Sequence, residues 1–159
     1  MTLAETLHPK LSDWHPTGDG RHSWTEQFSE LGWTAHISAD LADTLGCLVW
    51  DFTLTRTTDA PTGLTLKTWA NTIAARATGL LEPLKVLEVD EARQEALLRS
   101  TAPAKRGEAV VYYELKLTGL TQATLRRYQT VPTASSKRDQ IAYAVTHEAL
   151  AKLAGDIAG

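Results

Sequence analysis

The side chains best suited to chemistry in this chain are one cysteine, Cys47, five histidines and the acid Asp51, which stands between Trp50 and Phe52. A cysteine becomes a nucleophile or a metal ligand when a nearby base or positive charge lowers its pKa. Nothing close to Cys47 in sequence supplies either, so it reads as a small hydrophobe. His147 and Glu148 open like the zinc motif HExxH, in which two histidines one helical turn apart share the metal, but residue 151 is alanine and the second ligand is missing. His36 is expected to face Thr25 across a hairpin, exposed and without a metal partner. None of the five histidines, which also include His8, His15 and His22, is read as a ligand or a base, for want of convergent partners. Glu26 and Asp51 are candidates for a carboxylate acid/base pair. Strand alternation separates them, with Glu26 on the face of Trp24 and Phe28 and Asp51 on the face away from Trp50. Gly18-Asp19-Gly20 lacks the flanking strand, the lysine and the spacing of a phosphate loop. The sequence therefore predicts no enzyme: no catalytic residue, no metal and no cofactor.

Charge offers a second kind of site. The net charge of −3 argues against a dedicated nucleic-acid binder, but it is unevenly spread. Residues 1–62 hold three Lys/Arg against nine Asp/Glu, whereas residues 99–138 hold eight against two, a local +6. Such a pole attracts an acidic partner or is a solvated face. Arg99, Lys105, Arg106 and Arg126 are its expected exposed members, each on a loop, a strand end or the outward face of a hairpin, and are the predicted partner-binding residues. Tyr112, Tyr113 and Tyr128 beside Arg126 and Arg127 are of the types that stack bases and hold phosphate. They are few and Tyr113 is expected inside, so an ordinary charge-paired hairpin is the better reading.

Positioning these residues falls to elements that periodicity reveals. Thr2 and Glu5 form a capping box over a short helical turn, its length limited by Pro9 and Pro16. Residues 22–29 and 33–39 read as a hairpin through Gly32 that pairs Phe28 with Trp33 and Trp24 with Ile37. In the third strand Leu48, Trp50, Phe52 and Leu54 alternate as the buried face, and Cys47, Asp51, Thr53 and Thr55 point the other way. Residues 64–80 carry a helical stripe of Leu66, Trp69, Ile73, Ala77 and Leu80, closed by Gly79 and Pro83. Residues 84–90 read as a strand, 90–93 as a turn and 95–101 as a strand in spite of good helix formers. Residues 109–119 and 123–131 form a hairpin in which Glu114 meets Arg126 and Leu115 meets Leu125. Ser136 and Asp139 are expected to cap a last helix running to about Ile157, whose broad apolar face needs two neighbours or a partner.

These elements predict an α+β fold class: helix, three antiparallel strands, helix, further antiparallel strands, helix, in one domain spanning residues 1–159. At 159 residues, 43% of them hydrophobic, the chain buries a full core without disulfide or metal. One cysteine suits a reducing compartment, and neither a secretory leader nor a membrane span is read, which predicts a cytoplasmic protein.

The element order, with the texture of LEPLKVLEVDEARQEALLRS, VVYYELKLTG and IAYAVTHEALAKLAGDI, resembles the YbjN-like family, whose fold is similar to that of type III secretion chaperones. The resemblance covers nearly the whole chain and implies a two-layer, secretion-chaperone-like fold. It also implies a non-catalytic, chaperone-like or regulatory module that holds a segment of a partner protein on apolar grooves, as a homodimer. The chain departs from the simplest such chaperone in having four strands rather than two in its second half. Two other functions stay open: a small-ligand protein or enzyme with a sheet–helix pocket anchored by Glu26 and Arg127, and a nucleic-acid accessory protein acting through the basic pole.

Overall fold

The computed structural model describes residues 1–132 and 137–159. Helix α1 (Leu3–Ser12) starts at the expected capping box, Thr2 with Glu5, and buries Leu3, Leu7 and Leu11, one per turn. It runs through Pro9, whose missing N–H is tolerated because the remaining helical bonds hold and the leucine stripe is buried. Strands β1 (His22–Phe28) and β2 (Trp33–Ala42) pair in the expected register, Phe28 with Trp33 and Trp24 with Ile37, across a single 3-10 turn closed by Gly32 at φ +76°.

The third strand, β3 (Gly46–Arg56), departs from the alternation read in the sequence. Phe52 and Leu54 face the core, but so do Cys47 and Val49, while Trp50 is only half-buried. The pairing with β2 explains this. Ser38 lies opposite Asp51 and Ala39 opposite Val49, so Trp50 is skipped; Leu41 then lies opposite Leu48, so Asp40 is skipped. Each extra residue flips the side chains beyond it to the other face. The expectation that Trp50 and Leu48 are core and Cys47 is not is thereby corrected.

Helix α2 (Leu66–Arg76) buries Leu66, Trp69 and Ile73 as expected and stops before Ala77, a turn earlier than the stripe suggested. Strands β4 (Leu84–Asp90) and β5 (Glu95–Ser100) form the next hairpin, and the basic loop contains a short strand, β6 (Ala104–Arg106). Strands β7 (Ala109–Thr118) and β8 (Gln122–Thr130) pair as predicted, with Glu114 opposite Arg126 and Leu115 opposite Leu125.

The stretch expected to open the last helix is instead extended. β9 (Asp139–Ile141) pairs with β8, β10 (Tyr143–Thr146) pairs with β3, and both are antiparallel to their partners. Because β3 and β8 are themselves antiparallel, the chain reverses at Ala142. The two short strands form a V in the gap where β3 and β8 splay apart. Gln140 locks it, donating to the Trp50 carbonyl at 2.9 Å, and the Tyr143 hydroxyl donates to the Leu125 carbonyl at 3.1 Å. Helix α3 (His147–Ala158) begins only here, capped by Thr146; the Ser136 of the predicted cap lies outside the described residues.

The strand order is β1-β2-β3-β8-β7-β5-β4 in one antiparallel sheet of ten strands, with β6, β9 and β10 beside this path. Strands take 45% of the described residues and helices 23%. The sheet therefore organises the molecule, which corrects the predicted alternation of helices with strand sets and the secretion-chaperone-like, two-layer fold drawn from it. The reason is the β3–β8 pairing, which joins the two strand sets into one sheet, together with the extra strands at 104–106 and 139–146. The helices cover one face, where Leu98, Tyr113, Leu115, Leu117, Leu125 and Phe52 form a continuous core with α1, α2 and α3. The broad face of α3 is covered by α1 and by the sheet, and Trp69 of α2 donates its indole N–H to the Ile157 carbonyl at 2.9 Å. The surplus apolar surface that argued for a dimer is thus covered within the chain. No helix among the described residues is long and apolar enough to cross a membrane.

Candidate functional site

The uncovered face of the sheet carries a row of charge. Asp51, Arg126, Glu114 and Arg99 lie side by side on β3, β8, β7 and β5. Arg126 bonds Asp51 rather than its cross-strand neighbour Glu114. Glu114 instead receives two arginines, Arg99 at 2.9 Å and Arg138 at 2.6 and 3.2 Å. Burial pushes the Glu114 carboxyl up, but the hydrogen bonds from Arg138 and Arg99 outweigh it and hold the group below the usual carboxylate range. Arg138 lies over the Tyr128 ring at 3.7 Å, and Arg99 over Tyr112 at 4.8 Å. Glu114, Arg126, Tyr128 and Arg138, with Lys116 and Glu95 3.6 Å apart, line a polar trough of about 430 Å³, and Arg99 and Asp51 flank it through their ion pairs with Glu114 and Arg126.

The four predicted partner-binding residues do not converge. Arg99 and Arg126 belong to this row. Lys105, opposite Val110, shares its face near the strand ends, while Arg106, opposite Ala109, points to the other face. Lys105 and Arg106 are exposed and make no ion pair among the described residues, whereas Arg99 is half-buried.

At the end of the same open face lies an apolar hollow of about 620 Å³, lined by Leu41, Leu45, Leu48, Ala144 and neighbouring backbone. It is a product of the two bulges. Unbroken alternation from Ala39 and from Phe52 would turn Leu41 and Leu48 to the core; the extra residues Asp40 and Trp50 turn both outward. Leu41 is 65% exposed and Leu45, at the tip of the β2–β3 hairpin, is 77% exposed. Asp43 holds that tip by accepting from the backbone N–H groups of Leu45 and Gly46, which lowers its own carboxyl below the usual range. Sequence alternation concealed this site because a bulge leaves no mark in residue type.

Behind the hollow, the fold brings Cys47 to a base that is distant in sequence. His147, the first residue of α3, places Nδ1 3.5 Å from the Cys47 Sγ and Nε2 2.6 Å from the Asp43 carbonyl. A carbonyl only accepts, so Nε2 carries the ring proton and Nδ1 accepts a hydrogen bond from the thiol, which keeps its own proton. The arrangement has the order nucleophile, base, orienter, yet both side chains are buried, and burial, with the Asp43 charge, pushes the thiol up to about 12. The sulfur is a neutral core atom rather than a thiolate. Cys47 was correctly read as a hydrophobe, but on the wrong face and without its histidine.

The polar anchors Glu26 and Arg127 are also separated. Glu26 pairs with Lys10 of α1 at 3.0 Å on the edge strand β1, three strands away from β8. Arg127, 2% exposed, meets Glu82 from the loop after α2 at 2.9 and 3.3 Å, and Ser100 donates to the same carboxylate at 3.1 Å. Its guanidinium lies 4.1 Å from the Tyr113 ring centre. This pair is closed on itself and fastens the loop to the sheet. A broader groove of about 760 Å³ runs along α1 and α3 past Leu31 and Trp33, floored by small residues, Ala4, Ala151 and Gly155 among them. No group of three or more histidine, cysteine or acidic residues among the described residues is placed to hold a metal ion. No protein-family model, no curated protein and no solved structure matches the chain.

Proposed function

We propose that this chain is a non-catalytic protein-binding module that holds a segment of a partner protein in the hollow of Leu41, Leu45 and Leu48. The observation that carries it is the pair of bulges that turns Leu41 and Leu48 away from the core. Burying a leucine is worth about 1.5–3 kcal/mol, so a fold that turns Leu41 out to solvent and keeps Leu48 only part-buried beside it leaves a share of that free energy to be recovered on binding. Bulges commonly re-aim side chains at functional sites.

Chemistry finds less support. Asp51, Glu114 and Glu82 are each held by arginine, and the Cys47 thiol is protonated at neutral pH, so none of them is poised as acid, base or nucleophile. The nucleic-acid alternative is weakened because the cations in and beside the trough exceed the acids there by a single charge, which matches one carboxylate but not a run of phosphates. A cytoplasmic setting and kinship with the YbjN-like family belong to the same proposal; the first rests on the single cysteine, the second on sequence texture alone.

The test is a selection from a displayed random-peptide library on the whole protein, followed by binding measurements on Leu41→Ser/Leu45→Ser. Both leucines are exposed, so the variant keeps its core. Selected peptides should lose tenfold or more in affinity for the variant, about 1.4 kcal/mol. Peptides that bind the variant equally well, or no enrichment at all, would overturn the assignment.

A further inference from the structure

We infer that the segment held in the hollow is extended and acidic, with an apolar anchor followed within three or four residues by a carboxylate that the charged trough receives. This rests on the hollow being the client site and adds to it the chemistry of the client.

The hollow and the trough open on one face, the first on β3 and the second on its neighbour β8. Leu48 lines the first, and Asp51, three residues on, is paired with Arg126, which lines the second. At about 3.3 Å per residue that is roughly 10 Å along β3, and one strand spacing further reaches Arg126. An extended segment spans the same distance in three to four residues.

The sign of the trough selects the charge. Lys116, Arg126 and Arg138 line it against Glu95 and Glu114, three cations to two acids, and the flanking Arg99 and Asp51 leave that excess unchanged. The imbalance is concentrated at Glu114, where two guanidinium groups share one carboxylate. A second carboxylate at this point gives the surplus arginine a partner of its own, in the bidentate geometry that guanidinium favours. A basic side chain here would meet Arg126, Arg138 and Lys116, a like-charge contact that costs binding. Arg126, with 45% of its side chain exposed, and Lys116, with 48%, stay reachable from solvent. Lys105, on the same face beyond Val110, extends the attraction.

Isothermal titration of the whole protein with three capped peptides tests this. Each carries two leucines and, three to four residues on, two glutamates, two glutamines or two lysines. The glutamate peptide should bind about tenfold tighter than the glutamine peptide, and its advantage should shrink at high salt and in Arg126→Gln/Lys116→Gln. Equal affinity of the three peptides overturns the acidic preference while leaving the hollow in place. Glutamate-peptide binding that survives Leu41→Ser/Leu45→Ser unchanged overturns the hollow instead, and failure of every peptide to bind overturns both.

Discussion

Removing Glu82 should cost more stability than its place in a loop suggests. The residue lies after α2 in chain order, yet its carboxylate is 9% exposed and takes both terminal nitrogens of Arg127, itself 2% exposed, along with the Ser100 hydroxyl. Glu82→Ala leaves a guanidinium enclosed by Tyr113 and the loop with no counter-charge, and breaking one side of a buried pair costs about 3–5 kcal/mol. At a urea slope of about 2 kcal/mol per molar, the midpoint should fall by roughly 1.5–2.5 M. Replacing both partners, Glu82→Leu with Arg127→Met, should recover most of that loss, because an apolar pair of similar volume carries no desolvation penalty. Urea unfolding followed by tryptophan fluorescence and far-UV circular dichroism measures all three proteins. A loss below about 1 kcal/mol for Glu82→Ala, or a double variant no better than the single, would refute the idea that a buried charge pair fastens this loop.

Phe52→Ala should cost about 3–5 kcal/mol, and Trp50→Ala clearly less, because Phe52 is buried on the helix face and Trp50 sits at the bulge; a larger loss at Trp50 in urea unfolding would restore the unbroken alternation. Cys47 should react with iodoacetamide at pH 7.5 about a thousandfold more slowly than a free cysteine, since a thiol at about 12 holds that much less thiolate; mass spectrometry showing reaction within tenfold of the free rate would mean that His147 takes the proton. Glu114, its carboxyl held below the usual range, stabilises the fold at neutral pH and loses that contribution as pH falls through its depressed value. The gap in urea midpoint between the native chain and Glu114→Gln should therefore be wide at pH 7 and narrow at pH 3, and a gap that widens in acid would contradict the assignment.

The hairpin of β7 and β8 was legible because two independent signals, the alternation of Val111, Tyr113, Leu115 and Leu117 and the charge complementarity of Glu114 with Arg126, fixed one register. The same charges misled about contacts, since Arg126 turns to Asp51 and Glu114 to two other arginines. Residues 139–146 were read as helix from Ile141 and Val145, four apart. Ile141, Tyr143 and Val145 also alternate, and the β-branched and aromatic types favoured the strand that forms. The bulges at Asp40 and Trp50 were beyond reach, because skipping one residue depends on how two strands fit and on the V of β9 and β10 that spreads β3 from β8. The partners Glu82–Arg127 and Cys47–His147 lie 45 and 100 residues apart, and only the assembled fold brings them together. Most of the candidate site, the outward leucines above all, therefore emerged from packing rather than from pattern.

Chemical-shift mapping tests the central claim most directly, with the uniformly labelled protein titrated by the leucine–glutamate peptide and followed through its backbone amides. Saturable shifts confined to residues 41–48 and 144–146, continuing to 126–128 across the trough, are the predicted result. Shifts clustered instead along α1 and α3, around Ala4, Ala151 and Gly155, or shifts that never saturate, would contradict it.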